Sequence, residues 1–559
     1  MNRNRVLGLL LVIALLASLS VGLVNAQEKK ILITGRQMGS SDIPTIDPSI
    51  AEDVPSVQVI DEIFVALARL NEETAAVSPG MATWTVSEDG LTYTFDILEN
   101  VPWVRYNAET DAVEQLTGAD GSPLFVTAQD FAYGILRSLN PETAAPYQYV
   151  LSPWIDGGAA YANGEGAMED VAITVVDANT LEIRTPAPSA VVPFIFSMWV
   201  TMAQPQPIID EFAEFWIDPE NIATYGPFAL KEWVRGDGGS LTMIKNPLWP
   251  GTDNIPVPTI DEVVFRFLDE EVQLTEFEAG TIDVSEAPDT EFARINADAN
   301  LSAAYFTGPG TCTYYYGFNV EREPFNDVRA RRAFSMAIDR ETLTTDVLGA
   351  GQIPTGIFAL PTLNAAPTVE AFPDIGISTD LEGAAALWAE YLADTGKTAA
   401  DFNLTLFHNE SGLHSTIAQA VQQMWAETLG VTVQIATADF ATYLDTRGNY
   451  DVFRAAWCFD YPDSHNFYYD ASWHSDLLTE NDTHWSSAEY DALVDQAFAA
   501  PTVEERAALY AQAEDILSNT EAAIAPMYYY VTNDLTAPYV TRTHSFITRE
   551  YYEKWDINR

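Results

Sequence analysis

The sequence predicts an α/β protein of several domains. Its 559 residues suggest about three domains at roughly 100–200 residues each. Apolar alternation marks the first third as strand-rich, and a strand–helix–strand pattern follows from residue 403 onward. With 47% hydrophobic and 12% aromatic residues, the chain has ample material for packed cores, which excludes disordered and collagen-like classes.

At the N-terminus, Arg3 and Arg5 precede an apolar run from Val6 to Val24, and Val24-Asn25-Ala26 ends in small residues. Charged start, apolar middle and small-residue exit read as a secretory signal peptide over 1–26. An uncleaved anchor is the alternative, since the run approaches spanning length. No Cys lies near the expected cut, so a lipoprotein is not expected. Export makes the two cysteines informative, because an oxidising compartment favours joining Cys312 to Cys458. Two unrelated buried thiols are the alternative.

Leu91, Tyr93, Phe95 and Ile97 alternate toward one face of a strand. VAITVV and LEIR flank the turn-like Asp177-Ala178-Asn179-Thr180, which predicts a hairpin. Further on, Leu404 and Leu406 alternate in NLTLF, and Ile417, Ala420, Val421, Met424 and Trp425 form a helical stripe. Gly430 stops that helix before Val431, Val433 and Ile435 resume strand alternation. Tyr490, Leu493, Val494, Ala497 and Phe498 predict another helix. Thr502 with Glu505 forms a capping box for the next, whose Leu509, Ala513, Ile516 and Leu517 face inward. The block from about 312 to 530 is therefore α/β.

Against 81 Asp+Glu stand 27 Lys+Arg, a net charge of −54 that becomes −56 once the signal peptide and its two Arg are removed. Such a surface repels phosphate backbones, so no nucleic-acid partner is expected. Signatures of nucleophilic hydrolases, zinc proteases and phosphate-binding loops are absent from the sequence. With six His and two Cys, no metal site or cofactor is expected. Carboxylate pairs are too common here to point to hydrolysis.

What remains is aromatic and charged. Thr313-Tyr314-Tyr315-Tyr316, Trp457-Cys458-Phe459-Asp460-Tyr461 and Pro526-Met527-Tyr528-Tyr529-Tyr530 combine rings with polar groups. On a strand, Arg454, Ala456, Cys458 and Asp460 share one face. This spacing sets a cation and an anion about 20 Å apart along the backbone. A short extended peptide carries the complementary ammonium and carboxylate. A solvated acid and an ordinary salt bridge are the bland alternatives.

Longer strings carry a resemblance. The T-I-D-P element at 45–48, SPGMATWTVSEDGLTYTFDILENVPW, VTAQDFAYGILRSLNPETAAPY and YGPFALKEW occur in this order. They are followed by Gly280-Thr281-Ile282-Asp283, CTYYYGFNVEREPFNDVRARRAFSMAIDR, HNESGLH, YLDTRGNYDVFRAAWCFDY and AIAPMYYYVTNDLTAPY. Over about residues 31 to 545 the chain resembles the peptide/nickel class of ABC-importer solute-binding proteins, and is most similar to its periplasmic oligopeptide-binding branch. That resemblance implies a three-domain periplasmic-binding-protein (clamshell) fold, two lobes closing about a hinge over an extended peptide. Domain I would comprise 27–64, 200–311 and 531–559, domain II 65–199 and domain III 312–530, with hinge crossings near Thr311 and Val531.

Carried over by position, Asp460 would bind the ligand ammonium, with Tyr147 beside it. Arg447, Arg454 and His414 would meet the carboxylate of ligands of different lengths. Glu52 and Val54, on an opposing strand, and Ala456 and Cys458 would pair with the peptide backbone. Phe440, Trp457 and Tyr530 would line side-chain pockets. Members of the branch have an equivalent cysteine pair. The implied partners are an oligopeptide and the transmembrane subunits of a permease, with the protein itself a monomer and not an enzyme. A receptor of the same fold for a murein peptide, an oligosaccharide or a metal chelate is the alternative. Gly317 stands where close relatives commonly have an acid, RGNYDVFR is about two residues short, and Arg105 to Ser122 is an insertion.

Overall fold

The computed structural model describes residues 29–559 apart from 36, 37, 39–41, 190, 237, 501 and 548. The expected signal peptide over 1–26 therefore lies outside the described residues.

Among the described residues eleven strands form one mixed sheet, the short strand Ile353–Pro354 pairing with Ile524–Thr536 off the main order. Its first end is built from Phe228–Val234, Ser240–Lys245, Glu262–Arg266, Ile31–Thr34 and Val284–Glu286. Its other end is built from Val452–Cys458, Leu404–Asn409 and Val433–Ala438. Two long antiparallel strands, Tyr305–Phe318 and Ile524–Thr536, join the halves. Their ladder runs from Tyr305↔Leu535 to Pro309↔Val531, breaks, and resumes at Thr313↔Tyr529. The break falls at Gly310, where a Cβ would stand 2.7 Å from the Tyr530 carbonyl oxygen.

Residues 404–438 form the expected strand–helix–strand unit. The helix Gly412–Leu429 buries Ile417, Val421 and Trp425, ends at Gly430 with φ 69°, and returns to a strand parallel to the first. A left-handed φ favours glycine, which explains the stop. Helices Ala488–Ala499 and Val503–Glu514 follow, the second capped by the Thr502 hydroxyl on the Glu505 amide at 3.2 Å.

A separate four-stranded sheet contains Thr92–Ile97, with Tyr93, Phe95 and Ile97 buried, and the expected hairpin of Ile173–Val175 with Thr180–Arg184. The inserted stretch forms its own hairpin, Val104–Asn107 with Ala112–Gln115.

Alternation along the central strand supplies two cores. Tyr314, Tyr316 and Phe318 enter one with Trp425 and Tyr528, whereas Tyr315 enters the other with Phe358 and Trp473. A third and larger core gathers the N-terminal elements, and Tyr461 from the far half inserts into it.

Cys312 and Cys458 lie directly opposite each other on paired strands and are disulfide-bonded, 146 residues apart in sequence. Closing so long a loop removes much freedom from the unfolded chain. Replacing both cysteines by serine is expected to lower the unfolding free energy by about 2–5 kcal/mol, read from urea denaturation. An unchanged midpoint would contradict this.

Candidate functional site

The strand Val452–Cys458 is the frame of the site. One edge pairs along its length with Cys312–Phe318. The other pairs with Leu404–Asn409 only at Val452 and Phe453. Among the described residues, no strand covers this second edge from Arg454 to Cys458. Successive residues of a strand send their backbone groups to opposite sides. The Phe459 amide donates to the Thr311 carbonyl at 3.1 Å, which directs Trp457 and Ala455 the same way. The backbones of Cys458, Ala456 and Arg454 consequently face the open edge. In accord with this, the Arg454 carbonyl accepts the Tyr443 hydroxyl. Ala456 and Cys458 thus present donors and acceptors at strand spacing, a template for one more strand.

At one end of this edge stands Asp460. The strand stops at Cys458, which corrects the expectation that Asp460 shares a strand face with Arg454: a turn directs it instead. Asn466 holds it twice, the side-chain oxygen accepting the Asp460 amide at 3.1 Å and the side-chain nitrogen donating to Oδ2 at 2.9 Å. Tyr147, from the N-terminal part of the chain, donates its hydroxyl to Oδ1 at 2.8 Å. Burial raises the Asp460 carboxyl above its ordinary range, against the lowering influence of Asn466, Tyr147 and the Arg549 charge. Asp470 shares Asn466 at 3.0 Å and takes the Tyr461 hydroxyl at 2.6 Å. Burial lifts Asp470 to about 7, so a second full negative charge is not forced beside Asp460.

Tyr147 packs on Trp199 at 4.9 Å, and the Trp199 indole donates to the Ala51 carbonyl at 2.9 Å. This fixes residues 51–54 near the acid. Glu52 is exposed, and its charge is one of those that raise the Tyr147 hydroxyl. The opposing strand expected at Glu52 and Val54 is absent. Asp53 caps the helix Val54–Ile63 by accepting the Ser56 amide at 2.9 Å, with Pro55 in its first turn. Val54 is the first helical residue and is 42% exposed. An Asp followed two residues later by Pro is a helix-start signal, and it outweighs extension here.

At the other end of the edge stands Arg454. It donates to the Tyr530 hydroxyl at 2.7 Å and to Asn409 Oδ1 at 3.3 Å, and lies 4.9 Å above the Tyr314 ring. Its Nε has no hydrogen-bond partner. Among the described residues no carboxylate pairs with it, in a protein with a threefold excess of acids. Tyr530, expected as a pocket wall, is thus also a polar partner of this cation.

His414 joins the same cluster, 5.6 Å from the Tyr314 ring and 6.2 Å from His408. Burial, then the Arg454 and His408 charges, push its pKa down to about 3. It is therefore a neutral imidazole that offers a hydrogen bond and no charge.

Arg447 is not brought to Arg454. It pairs with Asp482 at 2.5 Å and packs at 5.7 Å from Phe453, whose side chain leaves the opposite face of the strand. Gly317 sits across from Phe453, and a Cβ there would stand 2.4 Å from that ring. The missing acid therefore makes room for the ring that supports Arg447. Trp457 donates to Asn466 at 3.1 Å, which ties it to the acid end. Phe440 begins the helix Phe440–Thr446, and its side chain lies outside the described part.

Sequence reasoning missed Asn466, Asp470, Asn409 and Arg549. Asn409 lies within the string HNESGLH but carries no assigned role there, and the other three are single polar residues without periodicity or motif, which only folding brings to the site. The neutral state of His414 is directly measurable. An NMR titration of its ring is expected to show no protonation between pH 5 and 8, whereas a midpoint near the ordinary value would contradict the burial argument.

Residues 76–476 match the model of the bacterial extracellular solute-binding proteins, family 5. The chain is 29% identical over 540 residues to the periplasmic oligopeptide-binding protein of Escherichia coli, covering 94% of this chain and 92% of that one. It is 32% identical over 508 residues to the periplasmic murein peptide-binding protein of the same organism, covering 89% and 87%. The solved structure of the Escherichia coli murein tripeptide binding protein superposes with a TM-score of 0.78 at 29% identity, covering 95% of this chain and 99% of that one. The mixed α/β architecture is that of the periplasmic binding proteins, and the chain belongs to the bacterial extracellular solute-binding proteins, family 5.

Proposed function

We propose that the protein is an extracytoplasmic receptor of an ABC importer, which binds short oligopeptides extended between two lobes and delivers them to a membrane permease. The observation that carries this reading is the open strand edge of Arg454–Cys458, with a desolvated carboxylate at one end and, at the other, a guanidinium that no carboxylate pairs with among the described residues. A zwitterionic peptide matches it in charge at both ends. Its backbone matches the free groups of Ala456 and Cys458, an interaction indifferent to side chains. The task proposed for this arrangement is binding, not catalysis.

In this reading the lobes are the domains expected from sequence, 27–64 with 200–311 and 531–559, then 65–199, and 312–530. The broken ladder between Pro309 and Thr313 supports hinge crossings near Thr311 and Val531, since hinges are a few element-terminal residues. Tyr147 on Asp460 joins residues of two such domains and would form on closure. Cleavage of the signal peptide would release a soluble monomer outside the membrane. Among the described residues, no helix is long and apolar enough to cross a bilayer.

A murein peptide is the second reading, favoured by the 32% identity to a protein named for that ligand. It carries the same terminal charges, so the site accommodates either. An oligosaccharide would leave both charges unmatched.

Replacing Asp460 by Asn is expected to weaken binding of a free tripeptide by about 2–5 kcal/mol, because a buried ammonium would lose its counter-charge. Isothermal calorimetry reads this, and equal affinities would remove Asp460 from the site. Native mass spectrometry of the purified protein is expected to show a ladder of co-purified peptide masses. A single sugar-like or metal-bearing adduct would overturn the peptide reading.

A further inference from the structure

Arg549 lies beneath the acid end of the site, buried to 6% exposure. One guanidinium nitrogen reaches the Asp460 carbonyl at 3.5 Å and another the Ser197 carbonyl at 3.4 Å. Its Nε lies 3.4 Å from Asp61 Oδ2, and its guanidinium carbon stands 5.5 Å from the centre of the Trp199 ring. These contacts belong to the segments that build the site. Asp61 is on the helix whose first turn holds Asp53 and Val54. Trp199 carries Tyr147 and fixes the Ala51 carbonyl. Asp460 is the acid itself.

The choice of atom matters. Arg549 grips the Asp460 backbone oxygen and leaves both carboxylate oxygens to Tyr147, Asn466 and an incoming group. A guanidinium on the carboxylate would cancel the charge a ligand needs. Held behind the residue, it favours the anion by its field without occupying the ligand's place. A planar fork can serve several partners at once, which a lysine ammonium cannot do with the same geometry.

We infer that Arg549 is the positioning residue of the ammonium site, keeping Asp460 in its charged form and joining the three segments that surround it. This rests on the reading that Asp460 receives a ligand ammonium. Besides Arg549, the groups facing Asp460 are Tyr147, Asn466 and Asp470, with Glu52 and Tyr149 beyond Tyr147. Asp61 faces Arg549 from the other side and is itself raised by burial against the Arg549 and Arg69 charges.

The sign is fixed by charge. Removing the Arg549 cation favours protonated Asp460, so affinity is lost at higher pH than in the parent protein. Removing the Asp61 anion leaves Arg549 less neutralised and acts in the opposite direction. Trialanine affinity is measured by calorimetry from pH 4.5 to 8 for the parent protein, Arg549→Gln, Arg549→Lys, Asp61→Asn and Asp460→Asn, with thermal unfolding recorded for each. The acid limb is expected to move to higher pH in Arg549→Gln and to lower pH in Asp61→Asn. Arg549→Lys is expected to keep the parent limb, with reduced affinity at all pH values. Limbs that stay fixed in both Arg549→Gln and Asp61→Asn, whatever happens to melting temperature, would reduce Arg549 to a packing role and overturn the inference alone. If Asp460→Asn retains the parent affinity and limb, the ammonium site itself is lost, and this inference falls with it.

Discussion

A carboxylate taken out of water and left short of one cation is the constraint on which the site depends. Asp460 has hydrogen bonds from Tyr147 and Asn466 and a guanidinium behind it, yet burial still raises its pKa. Donors of this kind reduce the cost of a buried charge without abolishing it. A ligand ammonium would complete the balance, and in a region of low effective dielectric such pairing is strong. Because Tyr147 comes from a distant part of the chain, the charge is fully surrounded by its donors only in the folded protein.

The opposite end obeys the same logic with other materials. Arg454 is surrounded by a phenol, an amide, an aromatic face and a neutral imidazole, none of which cancels its charge. Between the two ends runs bare strand edge, stiffened by the Cys312–Cys458 bridge at one border and by the Tyr443 hydroxyl at the other. Exposed edges are ordinarily a hazard because any extended chain can pair with them. On the proposed reading, that indifference to sequence is what a receptor of peptides uses.

Much of this was legible in the sequence where a period or a motif carried it. The strand–helix–strand unit at 404–438 and the hairpin at 173–184 follow from alternation and capping alone, and the cysteine pair from its isolation. Asp460 and Arg454 were legible as a charge pair on a short extended segment. The errors have local causes. Asp53 and Pro55 start a helix where an extended segment was expected. Arg447 opens the short helical turn Arg447–Asn449 before the strand and pairs with Asp482, apart from Arg454. Asn466 and Arg549 leave no pattern, since Asn466 reaches Asp460 through an irregular turn six residues long and Arg549 from 89 residues away.

The central claim is that a dipolar chain lies along the open edge with its ammonium on Asp460. The most direct measurement is a crystal structure grown with trialanine. The account predicts the peptide amine within hydrogen-bond distance of Asp460, its backbone paired with Ala456 and Cys458, and its carboxylate turned toward Arg454. A peptide bound elsewhere, or bound there with its amine turned away from Asp460, would contradict it.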